Sequence, residues 1–323
     1  MSYEPQVLRA ATERLARRRL NQEQEYARRR QQVYDQLPRL AVIERQLRQT
    51  VALAAVTALR AGDDPVSAIN AIRDKNLALQ KESDDLLRQH GYPSDYLDEK
   101  PLCPICKDSG WVGAQMCGCL KSLCTEEQNK LLSSMLDLQG QSFDSFRLDY
   151  YGSVYSTDRM AMQTIFNTCK LYAEQFQTFP IRNLLMTGTP GVGKTFLSAC
   201  IARTVSAQGF SVVYDTAIHV FAQFEAERFT RDQESRQDTR RYLNCDLLIL
   251  DDLGSEMTTP FTQSALYQLV NTRLINRLST VISTNLTPEE ISHRYSMQSS
   301  SRLLGEYQLL QFQGPDIRRK KNQ

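Results

Sequence analysis

The residues from 188 to 195 have the types and the spacing of a phosphate-binding loop. They are Gly188, Thr189, Pro190, Gly191, Val192, Gly193, Lys194 and Thr195, and they fit the pattern G-x-x-x-x-G-K-[ST] in full. Glycines let backbone N–H groups curl round a phosphate, and the N-terminus of a following helix adds positive potential. We therefore predict that Lys194 reaches the β and γ phosphates of ATP and that the Thr195 hydroxyl is a ligand of Mg²⁺.

A second motif, LLILDDLG, places two carboxylates at the end of an apolar run. Asp251 is predicted to hold Mg²⁺ through water, and Asp252 to orient or deprotonate the water that attacks the γ-phosphate. A carboxylate pair that only caps a turn would explain this motif alone, but it explains the two motifs in this order poorly. Asn285 in ISTNL could hydrogen-bond the γ-phosphate or the water, although Asn-Leu-Thr-Pro equally resembles the opening of a helix.

A cluster of cysteines predicts a structural zinc site. Five of the eight cysteines fall between residues 103 and 124. Four thiolates satisfy tetrahedral zinc with no open position, and we assign them to Cys103, Cys106, Cys117 and Cys119. Cys124 is a possible substitute for Cys119. A redox C-x-x-C site or ordinary buried thiols are the alternatives, whereas the remaining thiols, Cys169, Cys200 and Cys245, lie in apolar runs and are expected in the core.

From residue 143 onward, short apolar runs alternate with helical stretches. The runs occupy residues 183–188, 211–215, 246–252, 279–285 and 307–314. Runs of this length separated by helices predict an α/β domain in which helices cover both faces of a parallel sheet. The carboxyl edge of such a sheet binds ligands, so both motifs above would meet there.

The first 98 residues are rich in good helix formers, and we expect helices that break near residues 36 and 62. One helix face carries Leu40, Ile43, Leu47, Val51, Ala54 and Ala58. A further helix passes through Leu77 and Leu86 and ends before Gly91, and another is expected near 125–139. The arginine-rich first stretch suits a docking arm for a protein or a phosphate backbone, but a solvated helix face or a coiled coil would look the same.

The overall charge excludes a wholly basic protein that coats nucleic acid. Lys and Arg number 39 against 37 Asp and Glu, which gives a net charge of +2. No apolar run is long enough to span a bilayer, and the charged first residues differ from a signal peptide. We expect a soluble cytoplasmic protein without membrane contact.

A local contact with single-stranded DNA is possible between the second apolar run and LLILDD. Arginines alternate there with aromatic residues, a combination that can track phosphates and bases. Arg231, Arg240 and Arg241 are the candidates for this contact. Phe221 and Phe224 also fit the buried face of a helix, which is the more ordinary explanation of these two residues.

The order of the phosphate-binding loop, LLILDDLG, ISTNL and SSSRLLGEYQLLQFQGPDIR resembles the AAA+ ATPases of the DnaC/DnaI helicase-loader and IstB group, over residues 143–323. The resemblance implies that Asn285 is the sensor-1 residue and that Arg302 is an arginine finger, inserted into the ATP site of a neighbouring subunit in an ATP-dependent homo-oligomer. Arg318 would stand where a second sensor arginine contacts ATP. Asp252 departs from the usual Glu, and few residues follow Phe312, so we expect a reduced lid.

The cysteine segment, CPICKDSGW followed by MCGCLK, resembles the zinc-bearing module of the Bacillus-type helicase loaders. The resemblance implies a mostly helical partner-binding region at 1–98, a zinc module with a linker helix at 99–142, and an AAA+ ATPase domain at 143–323. It favours a loader that binds the replicative DNA helicase through its N-terminal region and single-stranded DNA through its AAA+ domain. A transposition ATPase that selects target DNA and a nucleotide-gated adaptor with little turnover remain as alternatives.

Overall fold

The computed structural model describes residues 3–60, 65–136, 140–153, 155–229 and 233–320. The chain divides into two compact units. One consists of Met1–Glu13 together with Met116–Gln323, and the other is Arg14–Gln115. These units are defined by compactness, and their boundaries differ from residues 98 and 142. The latter are the predicted limits of functional regions and stay a prediction.

Three long helices begin the chain: α1 at Pro5–Gln36, α2 at Pro38–Arg60 and α3 at Pro65–Gln89. Each begins at a proline, whose fixed φ suits the first turn of a helix and whose missing N–H costs nothing there. The break predicted near residue 36 is therefore confirmed, whereas the one predicted near residue 62 lies outside the described residues. Leu40 and Ile43 are buried and Leu47 packs against the same cluster, whereas the side chains of Val51, Ala54 and Ala58 lie outside the described residues. The buried members of the cluster are Val33, Leu37, Leu40, Ile43, Leu79 and Leu87.

The cysteine segment contains a short hairpin, β1 at Trp111–Val112 and β2 at Gln115–Met116, and leads into helix α4 at Gly118–Met135. The prediction that this helix begins near residue 125 was wrong, because Cys117 is its N-cap. Leu120, Leu123 and Cys124 already lie on its buried face. Residues 137–139, where the helix was expected to end, lie outside the described residues.

All five predicted apolar runs form strands of one parallel sheet. The strands are β3 at Asn183–Thr187, β4 at Val212–Thr216, β5 at Leu247–Leu253, β6 at Ser279–Thr284 and β7 at Gln308–Gln311. Their order across the sheet is β4-β5-β6-β3-β7, and each neighbouring pair runs parallel.

Helices cover both faces of this sheet, as predicted, because successive side chains of each strand point to opposite faces. In β3, Leu184 and Met186 belong to one core cluster and Leu185 to the other. The first cluster contains residues of α5 (Thr157–Glu174) and α6 (Lys194–Ala207). The second contains residues of α7 (Ala217–Phe229), α8 (Gln233–Asn244), α9 (Pro260–Ile275), α10 (Pro288–Arg294) and α11 (Met297–Gly305).

The three thiols that were assigned to the core are buried, which confirms that prediction: Cys169, Cys200 and Cys245. After β7, the described residues contain one further short helix, α12 at Ile317–Lys320. Within the described ranges, no helix combines the length and the apolar character needed to cross a bilayer.

The strand order brings the predicted functional residues together. Strand β6 lies between β5 and β3, and the chain leaves all three strands at the same edge of the sheet because they run parallel. The phosphate-binding loop follows β3, the two aspartates end β5, and Asn285 follows β6. These three segments therefore face one another.

Candidate functional site

The loop between β3 and α6 has a backbone that requires glycine at three positions. Gly188, Gly191 and Gly193 have φ values of 144°, 82° and 100°. A Cβ on Gly191 would lie 1.9 Å from Oδ1 of Asp316, and one on Gly193 would lie 2.7 Å from the hydroxyl of Tyr151. The loop therefore keeps its shape, with its end at the N-terminus of α6, only when these positions carry no side chain.

Lys194 begins α6 and is only 8% exposed. Its Nζ donates hydrogen bonds to the carbonyl oxygen of Thr189 at 3.0 Å, to that of Gly188, and to Oδ1 of Asn285 at 2.8 Å. Burial lowers the pKa of Lys194 to about 8, and the positive charge of Arg318 acts in the same direction. The ammonium group is thus held by neutral acceptors, which a phosphate group can replace.

Asp251 is 7% exposed and accepts hydrogen bonds from neutral hydroxyl groups. Tyr214 donates to its Oδ2 at 2.6 Å, Thr195 donates to the same oxygen at 3.3 Å, and Ser283 donates to Oδ1. Burial and the Asp251 carboxylate raise the pKa of Tyr214, so its hydroxyl remains a donor. Thr195 and Asp251, the two residues predicted to serve Mg²⁺, are therefore in contact.

Tyr214 and Ser283 were missed by the sequence analysis. Both lie near the carboxyl ends of predicted strands, where a polar side chain is placed to meet the site. This position was the available signal, but only the strand order shows that β4 and β6 flank the strand that carries Asp251.

Asp252 has a different environment from its neighbour. Its φ of 56° lies in the left-handed region, and the pairing of β5 with β6 shifts register between Leu250 and Leu253. The Asp252 N–H donates to Oγ of Ser283 at 3.0 Å, and Nδ2 of Asn285 donates to Oδ1 of Asp252 at 2.8 Å. Asn285 therefore bridges Lys194 and Asp252, so the predicted sensor residue contacts both of the groups that would surround a γ-phosphate.

These residues open into a pocket of about 690 Å³, a size common for small-molecule sites. Its other lining includes Gly140, Gln141, Ser145, Phe146, Arg147, Tyr150 and Tyr151. The ring of Phe146 stacks on that of Tyr151 with centroids 5.8 Å apart, and Tyr151 donates to the carbonyl oxygen of Val192 at 2.8 Å. An aromatic wall is thus attached directly to the phosphate-binding loop.

The two predicted arginines lie in different places. Arg318 lines the pocket, and its helix is attached to the loop because the Ile317 N–H donates to the carbonyl oxygen of Gly191 at 3.0 Å. Arg302, on α11, is absent from the described lining. Its guanidinium instead lies 5.6 Å from the ring centroid of Tyr267. The structure therefore brings Arg318, but not Arg302, to the nucleotide pocket of the same chain.

The four assigned cysteines lie together: the sulfur atoms of Cys103, Cys106, Cys117 and Cys119 are all within 4.8 Å of one another. Zinc–sulfur bonds of about 2.3 Å place the sulfurs of a tetrahedral site about 3.8 Å apart, so this donor set fits zinc. The Gly110 N–H points to Sγ of Cys106 at 3.3 Å. A backbone donor of this kind stabilises a thiolate.

The shape of the turn that carries Cys103 and Cys106 depends on Asp108, whose carboxylate accepts hydrogen bonds from the N–H groups of Leu102 at 2.9 Å and Cys103 at 2.8 Å.

Cys124 is fully buried in α4, and burial raises the pKa of its thiol to about 11. The sulfur of Cys119, and not that of Cys124, lies with the other three.

The segment suggested to contact single-stranded DNA agrees with the prediction only in part. Phe221 and Phe224 belong to the core, which agrees with the ordinary explanation. Arg241 is an internal ion-pair partner, because its guanidinium lies 3.4 Å from carboxylate oxygens of both Glu4 and Asp215. It is therefore not available as an exposed phosphate contact. Arg240 is exposed, and Arg231 lies outside the described residues.

One parallel sheet brings together a phosphate-binding loop, a strand-end acid pair and a polar residue that follows the strand between them. This combination defines a P-loop ATP-binding domain of the AAA+ type. Comparison with known families agrees. Residues 170–322 match the family described as IstB-like ATP binding protein.

Two curated relatives are similar over about the same length. The replicative helicase loader DnaI of Bacillus subtilis is 28% identical over 178 residues, which cover 53% of this chain and 53% of DnaI. The replicative helicase loader DnaC of Escherichia coli K12 is 23% identical over 185 residues, which cover 54% of this chain and 71% of DnaC. The match thus spans about half the length of DnaI. Among solved structures, the crystal structure of the DnaC helicase loader covers 55% of this chain and 99% of that chain, with 19% identity and a TM-score of 0.46.

Proposed function

We propose that this protein is an ATP-dependent loader of the replicative DNA helicase. The observation that carries the proposal is the convergence of Lys194, Asp251, Asp252 and Asn285 on one pocket. This pocket lies in a domain similar to two proteins named as replicative helicase loaders. The convergence supports an ATP-driven step, and the similarity supports the helicase as the object of that step.

In the proposed reaction, the backbone N–H groups of the loop and Lys194 bind the phosphates. The Lys194 ammonium exchanges its present acceptors, among them Oδ1 of Asn285, for phosphate oxygens. Thr195 and Asp251 would hold Mg²⁺, which supplies positive charge to the phosphates during hydrolysis.

Asp252 orients the attacking water and accepts its proton, and Asn285 fixes the carboxylate through its amide at 2.8 Å. This arrangement supports hydrolysis with Asp in place of the usual Glu, because the position of Asp252 is set by the left-handed backbone and by two hydrogen bonds. A shorter side chain held firmly can orient a water molecule as well as a longer, mobile one.

Assembly completes the proposed site. Arg318 contacts the nucleotide of its own subunit, and Arg302 supplies the positive charge of an arginine finger to the site of a neighbouring subunit. The position of Arg302 outside the pocket of its own chain supports this division of roles. Turnover of ATP would then depend on formation of an oligomer.

The N-terminal region is proposed to bind the helicase, with the four-cysteine cluster as a structural zinc site that fixes the chain locally. Single-stranded DNA would bind the ATP-binding domain. Arg240 is an exposed candidate for this contact, and Arg241 is removed from it by its ion pairs.

The test is retention of the full-length protein on immobilised replicative helicase with ATP, with ADP and without nucleotide. We expect retention in at least one of these states and a clear difference between ATP and ADP. Lys194→Ala should remove that difference while leaving retention without nucleotide intact. If the helicase is not retained in any state, the loader proposal is wrong, although the ATP-binding domain remains.

A transposition ATPase that selects target DNA is the second candidate, and the match to the IstB-like family favours it. The same retention experiment with an immobilised transposase, in the presence and absence of duplex DNA, separates the two candidates. Retention by the transposase and not by the helicase would select this second function.

A further inference from the structure

The nucleotide pocket contains one buried polar atom that the proposed reaction does not use. This atom is Oε1 of Gln141, which is removed from solvent and has no hydrogen-bond partner among the described residues. A buried amide oxygen without a donor costs free energy, and most such atoms in folded proteins are paired. Gln141 lines the same pocket as the phosphate-binding loop, so this unpaired oxygen belongs to a residue that a ligand in the pocket would contact.

The position of Gln141 is fixed by a compact turn. Ser142 and Ser145 cap each other reciprocally at the start of the short helix Phe143–Ser145, and Oγ of Ser145 donates to the carbonyl oxygen of Gly140 at 3.1 Å. Gln141 is enclosed between these bonded positions. Its amide is therefore attached to an ordered segment of backbone, as a specificity-determining group requires.

The same turn leads directly into the aromatic wall of the pocket. Phe146 stacks on Phe166 with centroids 5.1 Å apart and on Tyr151 at 5.8 Å, and Tyr150 also lines the pocket. Flat aromatic surfaces bind the faces of nucleobases. The phosphates of a nucleotide are fixed by Lys194 and the loop, so the aromatic residues and Gln141 are the part of the lining that suits the base.

We propose that Gln141 is a specificity residue that recognises the exocyclic amino group of adenine. Its Oε1 accepts a hydrogen bond from the amino group, which is the donor that this oxygen lacks. Glutamine pairs with adenine through an acceptor for N6–H and a donor for a ring nitrogen. A purine with an oxygen at this position would place two acceptors against each other, which is unfavourable. This inference rests on the proposed binding of ATP and deepens it.

The experiment measures equilibrium affinities of the full-length protein for three triphosphates that differ at the 6-position of the purine. These are ATP with an amino group, ITP with an oxygen, and purine riboside triphosphate with hydrogen alone. Wild type should bind ATP about five- to tenfold more tightly than purine riboside triphosphate, the factor expected for one neutral hydrogen bond. Affinity for ITP should be the weakest.

Gln141→Leu should bring the ratio of ATP to purine riboside triphosphate affinity close to one. Gln141→Glu keeps an acceptor and should retain the preference for ATP, which distinguishes recognition from a folding defect. Gln177→Leu, at an exposed position outside this pocket, is the matched control and should leave all three affinities unchanged.

Equal weakening of all three nucleotides by Gln141→Leu would overturn the assignment of Gln141 and leave nucleotide binding intact. A wild-type preference for ITP would also overturn it, because the amide would then present its NH₂ group to the base. If wild type bound none of the three nucleotides, both this inference and the proposed ATP-dependent function would fail.

Discussion

The pKa of Lys194 makes nucleotide affinity depend on pH in a defined way. Burial lowers this pKa to about 8 in the protein without nucleotide. A bound diphosphate or triphosphate favours the charged ammonium, so its binding raises the pKa. At pH 7 and below the lysine is mostly charged, and affinity should be nearly constant. Above pH 8, binding must take up a proton, and affinity should fall.

The expected size follows from one linked proton. At one pH unit above the pKa, about one molecule in eleven carries the charged lysine, so affinity falls about tenfold, or about 1.4 kcal/mol. The fall continues at about tenfold per pH unit until the pH reaches the pKa of the bound form. The assay is a titration with a fluorescent ADP analogue between pH 7 and pH 9.5 at constant ionic strength.

Lys194→Arg is the matched control, because a guanidinium stays charged across this whole range. Its affinity can be lower in absolute terms, but it should not vary with pH. The reasoning is refuted if wild-type affinity stays flat up to pH 9.5, or if the arginine variant shows the same slope as wild type. The second result would assign the dependence to another group.

Three other predictions concern neighbouring parts of the molecule. Tyr214→Phe removes the donor at 2.6 Å from Asp251 and should cost about 1.5–3 kcal/mol of unfolding free energy in a urea titration, with no loss expected if the hydroxyl contributes nothing. The Asp252→Asn variant should bind ATP with Mg²⁺ normally, because asparagine tolerates the left-handed backbone. Its ATP turnover should fall at least a hundredfold, because asparagine cannot accept the proton. Unchanged turnover would exclude Asp252 as the base. Purified protein should contain about one zinc per chain by mass spectrometry of metals, Cys106→Ser should lower this content and Cys124→Ser should not.

The sequence was informative wherever the signal is local. The phosphate-binding loop, the acid pair and the five strand segments each depend on residues that are adjacent in the chain, and β3 to β7 all formed where apolar runs predicted them. The cysteine cluster is also local, and spacing favoured the four sulfurs that the structure brings within 4.8 Å of one another, while it left Cys124 open as a substitute for Cys119.

Partners that are distant in sequence could not be predicted in this way. Tyr214 and Ser283 contact Asp251 because β4 and β6 flank β5 in the sheet. The order of strands in a sheet cannot be predicted from the sequence of any single strand. For Arg241, the sequence predicted a contact that the structure does not support. Its charge suggested an exposed DNA contact, but residue Glu4, at the other end of the chain, forms an ion pair with it.

In the proposed mechanism, the environment and not the residue type separates the roles of the two adjacent aspartates. Asp251 accepts hydrogen bonds on both oxygens from hydroxyl groups that carry no charge, so its carboxylate has a fixed orientation for a cation. Asp252 has turned away from the regular strand through its left-handed backbone and is held by one amide. Asp252 lines the pocket, where its carboxylate would accept a proton from water in the proposed reaction. Exchange of the two environments, not of the side chains, would be needed to exchange the roles.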